Sequence, residues 1–282
     1  MPPLMSVDAL IAQLDDPHIV IIDCRFQLVA GPEDAHPGHT AYQMSHIPKA
    51  QYADLNADLS SAVVAGLTGR HPLPDLTHFQ MRLRQWGVNQ ESRVVCYDSS
   101  GGAFAVRLWW LMRWCGFDAV SVLDGGWQQW LHHKAPVTSD TETPLRGNVT
   151  LGPMKDWLIS AEDIMQQPTT YQLIDARGAD RYRGENETID PVAGHIPGAY
   201  SAPFTNNLSE DGRFLPADRL RARFAPLLGD AITGHYCGSG VTACHNWFAM
   251  TLAGLTPGKL YPGSWSDWIN DPQRPVETGK PA

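Results

Sequence analysis

Short apolar runs that end on a polar residue recur along this chain. Val20–Asp23 and Leu173–Asp175 have this form, as do Val94–Asp98 and Ile232–Cys237. Runs of this length and ending predict strands buried in a parallel sheet. Between them lie amphipathic patterns that predict helices, at Leu76–Trp86 and Ala217–Leu228. Two more helical patterns, Ala105–Trp114 and Thr242–Ala253, follow their strands directly. Alternation of strand and helix implies α/β domains. In such sheets chemistry sits at the carboxyl ends of strands.

The same order of landmarks is written twice. Ile22-Asp23-Cys24-Arg25 is matched by Ile174-Asp175-Ala176-Arg177. The turn Ser45-His46-Ile47-Pro48-Lys49-Ala50 is matched by Gly194-His195-Ile196-Pro197-Gly198-Ala199. Asp124-Gly125-Gly126-Trp127-Gln128-Gln129-Trp130 is matched by Pro262-Gly263-Ser264-Trp265-Ser266-Asp267-Trp268. A repeat at domain scale sets two domains, at residues 1–137 and 156–282, with a Pro- and Thr-rich linker at 138–155.

A formal net charge of −9 argues against nucleic acid or an anionic membrane as the main partner. No apolar stretch approaches the roughly 20 residues of a membrane span. Asp8, Asp15 and Asp16 stand where a signal peptide would carry a basic start and an apolar run. Five cysteines, Cys24, Cys96, Cys115, Cys237 and Cys244, are too few and odd in number for a disulfide framework. A reducing cytoplasm is the expected location.

Cys237 ends a predicted strand and opens the run Cys237-Gly238-Ser239-Gly240-Val241-Thr242, which leads into a helix. Glycines let such a loop curl its N–H groups toward one point, and the helix N-terminus adds partial positive charge there. A sulfur at that centre is expected as the thiolate nucleophile. An arginine six residues after the cysteine would suit a cysteine phosphatase, but that position is Ala243. His235, Cys237, Cys244 and His245 lack the paired spacing of a zinc site.

These motifs resemble the rhodanese superfamily, and more closely the two-domain thiosulfate and 3-mercaptopyruvate sulfurtransferases. The resemblance implies two tandem rhodanese-like α/β domains, each a mainly parallel sheet flanked by helices. It implies transfer of sulfane sulfur through a Cys237 persulfide to cyanide, a thiol or thioredoxin, with no metal or organic cofactor. A non-catalytic rhodanese-like binding or regulatory protein is the alternative. The nucleophile position of the first half falls at Asp98, which implies a silent first domain. Thiosulfate enzymes commonly carry basic residues just after the cysteine, where this chain has Gly238 and Ser239, so the resemblance favours 3-mercaptopyruvate. It also implies a relay from Ser239 to His46 and Asp34, and substrate binding by Arg181 with Gly238, Gly240, Val241 and Thr242. The second arginine that mercaptopyruvate enzymes carry before the His-Ile-Pro turn is absent from Glu187-Thr188-Ile189-Asp190-Pro191.

Overall fold

A computed structural model describes residues 1–28, 36–152 and 154–279. The chain forms two units. The first comprises residues 1–61, 74–155 and 210–213, and the second residues 62–73, 156–209 and 214–282.

The first unit is built on β1 (Leu4–Met5), α1 (Val7–Ile11), β2 (Ile19–Asp23), α2 (Pro37–Met44), β3 (Gln51–Tyr52), α3 (Leu76–Gln85), β4 (Arg93–Tyr97), α4 (Ala105–Trp114), β5 (Val120–Leu123) and α5 (Gly126–His132). Its sheet runs β1-β5-β4-β2-β3, with every pairing parallel. The central pair holds Ile19 opposite Arg93 and Asp23 opposite Tyr97. Val and Ile suit such a doubly covered position because their branched side chains fill the pleat. Helix α4 packs on β4 and β5 and is buried almost throughout, as its near-continuous apolar run requires.

The second unit repeats the plan with α6 (Ala161–Gln166), β6 (Tyr171–Asp175), α7 (Ala179–Arg183), β7 (Tyr200–Ser201), α8 (Ala217–Phe224), β8 (Ile232–Tyr236), α9 (Ala243–Leu252), β9 (Lys259–Leu260) and α10 (Ser264–Trp268). Its sheet, β7-β6-β8-β9, is also wholly parallel. Strands β4 and β8 each stop one residue earlier than their apolar runs suggest. Asp98 and Cys237 therefore open the loops.

The described residues of 138–155, which read as a linker, carry no helix or long strand, yet they are fastened to the first unit. Gly147, Val149 and Gly152 donate their N–H groups to the carbonyls of Arg84, Val88 and Cys115 at 2.8, 3.2 and 2.9 Å. Val149 is fully buried. A segment held by regular backbone bonds is an ordered covering strip, since each bond removes conformational freedom that a loose linker keeps.

Candidate active site

The repeated landmarks prove to be one mechanical device used in each unit. Arg25 clamps Asp23 through Nε and Nη2 and donates to the Ser45 carbonyl at 2.6 Å. Arg177 does the same with Asp175 and the Gly194 carbonyl, at 2.7 Å to the latter. The two guanidiniums lie 4.5 Å over Trp127 and 4.6 Å over Trp265. Bidentate pairing plus stacking fixes strand end to turn, which is a structural use of both arginines.

His46 belongs to this device. Its Nδ1 lies 2.7 Å from the Tyr42 carbonyl and its ring stacks on Tyr42. His195 repeats the arrangement on Tyr182, with Nδ1 2.8 Å from the Tyr182 carbonyl. The second ring nitrogen of His46 lies 3.2 Å from the Asp140 carbonyl. Both ring nitrogens of His46 are thus engaged inside its own unit. Asp34 lies outside the described residues.

The imidazole that Ser239 does meet is His71, whose Nδ1 is 2.8 Å from Ser239 Oγ. The Ser239 pairing expected with His46 is corrected accordingly. The physical reason is the path of residues 62–73, which pack in the second unit. Gly69 permits that path, because a β-carbon there would lie 2.4 Å from the Gly263 carbonyl oxygen. The Arg70 N–H donates to Ser266 Oγ at 3.0 Å, and Asn270 donates to the Thr68 carbonyl at 3.1 Å.

Cys237 is 2% exposed. Its N–H donates to Ser264 Oγ at 3.0 Å, while its carbonyl and that of Gly238 each accept at 2.9 Å, from the N–H groups of Trp265 and Ser266. The loop is therefore riveted to the start of α10. Gly240 adopts φ +77°, and a β-carbon on it would lie 2.2 Å from the Pro262 carbonyl oxygen, so this turn requires glycine. The Ser239 N–H points at Cys237 Sγ at 3.4 Å. Val241 and Thr242 lead into α9, their carbonyls accepting from Cys244 and His245.

The first unit shows what such a loop can hold. Asp98 accepts four backbone N–H groups, from Ser100, Gly102, Phe104 and Ala105 at 2.7, 2.9, 2.8 and 2.8 Å. Burial pushes its pKa up, and the four donors oppose that rise. Trp127 donates its N–H to the Asp98 carbonyl as Trp265 does to that of Cys237. The two residues are therefore equivalent, although the loop from Cys237 to α9 is one residue shorter than that from Asp98 to α4, and the donor at offset two, Ser100, corresponds to Ser239.

Arg181 reaches the same loop. A β-carbon on Gly238 would lie 3.6 and 3.7 Å from its Nη2 and Nη1, and 2.9 Å from Nη2 of Arg70. Asp190 accepts from Arg181 Nη2 at 3.0 Å and also from Arg70 Nη1. Glu187 takes Arg181 Nε at 3.0 Å. Burial works against the Glu187 carboxylate, but Arg181 and the N–H groups of Asp190 and Ile189 outweigh it and lower its pKa.

The other thiols belong to cores. Burial pushes the pKa values of Cys24 and Cys96 up, and that of Cys115 up to about 12. Cys244 contacts the Gly240 carbonyl at 3.4 Å and is not disulfide-bonded. Among the described residues no cluster of three or more His, Cys, Asp or Glu is placed to hold a metal. No helix among them is long and apolar enough to cross a membrane.

A rhodanese-like domain model matches residues 6–133 and again 160–271. A probable 3-mercaptopyruvate sulfurtransferase of Pseudomonas aeruginosa is 48% identical over 283 residues, covering 98% of each chain. A putative thiosulfate sulfurtransferase of Mycobacterium tuberculosis is 37% identical, over 95% of this chain and 93% of its own. Among solved structures, SseA of Escherichia coli, described as a 3-mercaptopyruvate sulfotransferase, superposes with a TM-score of 0.81 at 32% identity, over 94% of this chain and 100% of its own. With the doubled fold, the doubled clamp and these matches in agreement, the chain belongs to the rhodanese family, as a member with two rhodanese-like domains.

Proposed function

We propose that this chain is a sulfurtransferase. It takes sulfane sulfur from a small anionic donor, 3-mercaptopyruvate in preference to thiosulfate, and passes it through a Cys237 persulfide to a thiophilic acceptor such as cyanide, a thiol or thioredoxin. The observation that carries the reading is the equivalence of Cys237 and Asp98. The loop that gathers four N–H groups on the Asp98 carboxylate in one unit has, in the other, a counterpart that holds a sulfur and aims the Ser239 N–H at it. The name of the Pseudomonas relative favours the mercaptopyruvate donor.

In the first half-reaction the Cys237 thiolate attacks the donor sulfur, forming an S–S bond. With 3-mercaptopyruvate the C–S bond breaks, its electron pair leaves as the enolate of pyruvate, and the enolate takes up a proton. The donor's thiol proton is released toward the Ser239–His71 pair, so the proton count is unchanged. With thiosulfate the S–S bond breaks and sulfite leaves. In the second half-reaction the acceptor attacks the outer sulfur and the Cys237 thiolate returns. The Ser239 N–H, aimed at the sulfur, stabilises the persulfide anion between the two steps.

In this reading residues 1–137 form a catalytically silent domain, residues 138–155 join it to the next, and residues 156–282 carry the nucleophile. Residues 62–73 contribute Arg70 and His71 to the second unit. The protein works in the cytoplasm with its thiols free. Cys237→Ser abolishes sulfur transfer to cyanide while Cys96→Ser retains it; normal turnover by Cys237→Ser refutes the reading.

A further inference from the structure

We propose that a cavity in the second unit, walled by residues 67–73, by the chain entering α6 and by the turn before α10, is a second ligand site, and that it takes a small ammonium ion with an apolar body.

The cavity holds about 430 Å³. Small-molecule sites fall in the range of roughly 300–1,000 Å³. Much of its wall is hydrocarbon, from Leu67, Pro72, Leu73, Leu158, Ile159 and Pro262, all in the second unit. Leu67 is 75% exposed. A bare apolar side chain at such a cavity gains free energy when a ligand covers it.

This space is separate from the cysteine loop. Leu67, Gly69, Pro72 and Leu73 line it, whereas the Arg70 and His71 side chains of the same run turn to Asp190 and Ser239. Pro262 also lines it, and the Pro262 carbonyl lies against Gly240. Backbone therefore divides the cavity from the loop.

The charge of the lining selects the ligand. It holds two carboxylates, Asp163 and Asp267, and no lysine or arginine among the described residues. Asp163 Oδ2 accepts the N–H and the hydroxyl of Ser160 at 2.8 and 2.7 Å, and these bonds lower its pKa, so it is an anion at neutral pH. Asp267 Oδ2 accepts the Tyr261 hydroxyl. Glycine at 263 keeps that carboxylate open, since a β-carbon there would lie 2.6 Å from Asp267 Oδ2. The bases around these acids are shared with other acids. Lys259 pairs with Asp156 at 2.8 Å, and Arg274 lies 3.6 Å from Asp267 and 3.8 Å from Asp271. Asp156, Asp163, Asp267 and Asp271 thus outnumber Lys259 and Arg274. An apolar space with carboxylates in excess favours a cation that brings its own hydrocarbon, and an ammonium group supplies three N–H donors. The Asp267 side chain is 18% exposed, so water screens part of the attraction.

The test compares tryptamine with indole-3-propionate, which share a ring and a two-carbon chain and differ in the sign of the end group. Isothermal titration calorimetry measures tryptamine directly, and the acid by its displacement of tryptamine. Tryptamine binds the whole protein about tenfold more tightly than the acid, a size suited to partly screened charges. Asp267→Asn, which keeps an acceptor for Tyr261, removes most of that preference. Leu158→Trp fills the cavity and abolishes tryptamine binding in a protein with unchanged circular dichroism. Should Leu158→Trp fail to fold, Leu67→Trp, at an exposed position, weakens tryptamine severalfold. No tryptamine binding at millimolar concentration, a preference that survives Asp267→Asn, or an affinity that neither tryptophan variant changes overturns the proposal.

Discussion

Nδ1 of His71 lies 2.8 Å from Oγ of Ser239, two residues beyond Cys237. In the proposed mechanism this pair takes the proton that accompanies cleavage of a mercaptopyruvate C–S bond. Ser239→Ala and His71→Ala are each expected to lower kcat with 3-mercaptopyruvate by on the order of a hundredfold, within the range of acid–base contributions. The double variant falls no further than the worse single one, because the two groups act as a unit. Steady-state kinetics of the four proteins check this, and a loss equal to the product of the single losses contradicts it. His46→Gln, by contrast, lowers the unfolding midpoint while the folded protein turns over.

The domain repeat, the parallel strands and the matching loop positions of Cys237 and Asp98 are all legible in the sequence. Each is a local pattern: an apolar run, a glycine-rich turn, a landmark at repeated spacing. Arg70 and His71 were not legible. They stand in the first half of the chain, outside every repeated landmark, and only the path of residues 62–73 brings them to Cys237. The Gly69-Arg70-His71-Pro72 run offered a weak signal, a basic pair hinged by glycine and proline. The partners of His46 are hidden in the sequence for a related reason. Its counterpart His195 shows that the turn itself requires the imidazole, stacked on a tyrosine four residues back in one unit and thirteen back in the other.

Asp98 is expected to matter for stability. Asp98→Ala leaves four N–H groups, two of them in buried bonds, without their acceptor, and an orphaned buried group costs about 1–3 kcal/mol. A loss of more than about 2 kcal/mol follows, since the loop relaxes only in part. Chemical denaturation of the variant measures this; an unchanged midpoint contradicts the cradle.

A pH dependence follows from His235. Burial lowers its pKa to about 4, opposed by its hydrogen bond to the Pro257 carbonyl. The unfolded chain, with an ordinary imidazole near pH 6.5, binds the proton first. The contribution of a neutral His235 is therefore complete above about pH 6.5 and is lost as pH falls toward 4, by up to about 3 kcal/mol. Thermal unfolding across that window shows a slope that His235→Phe flattens. Equal slopes in the two proteins count against a buried neutral ring.

Donor choice is expected to follow charge. Wild type gives the higher kcat/KM with 3-mercaptopyruvate than with thiosulfate, cyanide being the acceptor in both. Ser239→Lys puts a cation beside the sulfur and moves the ratio toward thiosulfate by about an order of magnitude beyond the shift that Ser239→Ala produces, equivalent to roughly 1.4 kcal/mol. A wild type that prefers thiosulfate, with a ratio indifferent to the lysine, contradicts selection by the loop.

The central claim is that Cys237 carries the sulfur, and intact-protein mass spectrometry tests it most directly. Protein treated with donor in the absence of acceptor gains the mass of one sulfur atom, peptide mapping places it on Cys237, and added cyanide removes it as thiocyanate. A donor-treated protein that turns over yet never shows a cyanide-reversible sulfur on Cys237 contradicts the account.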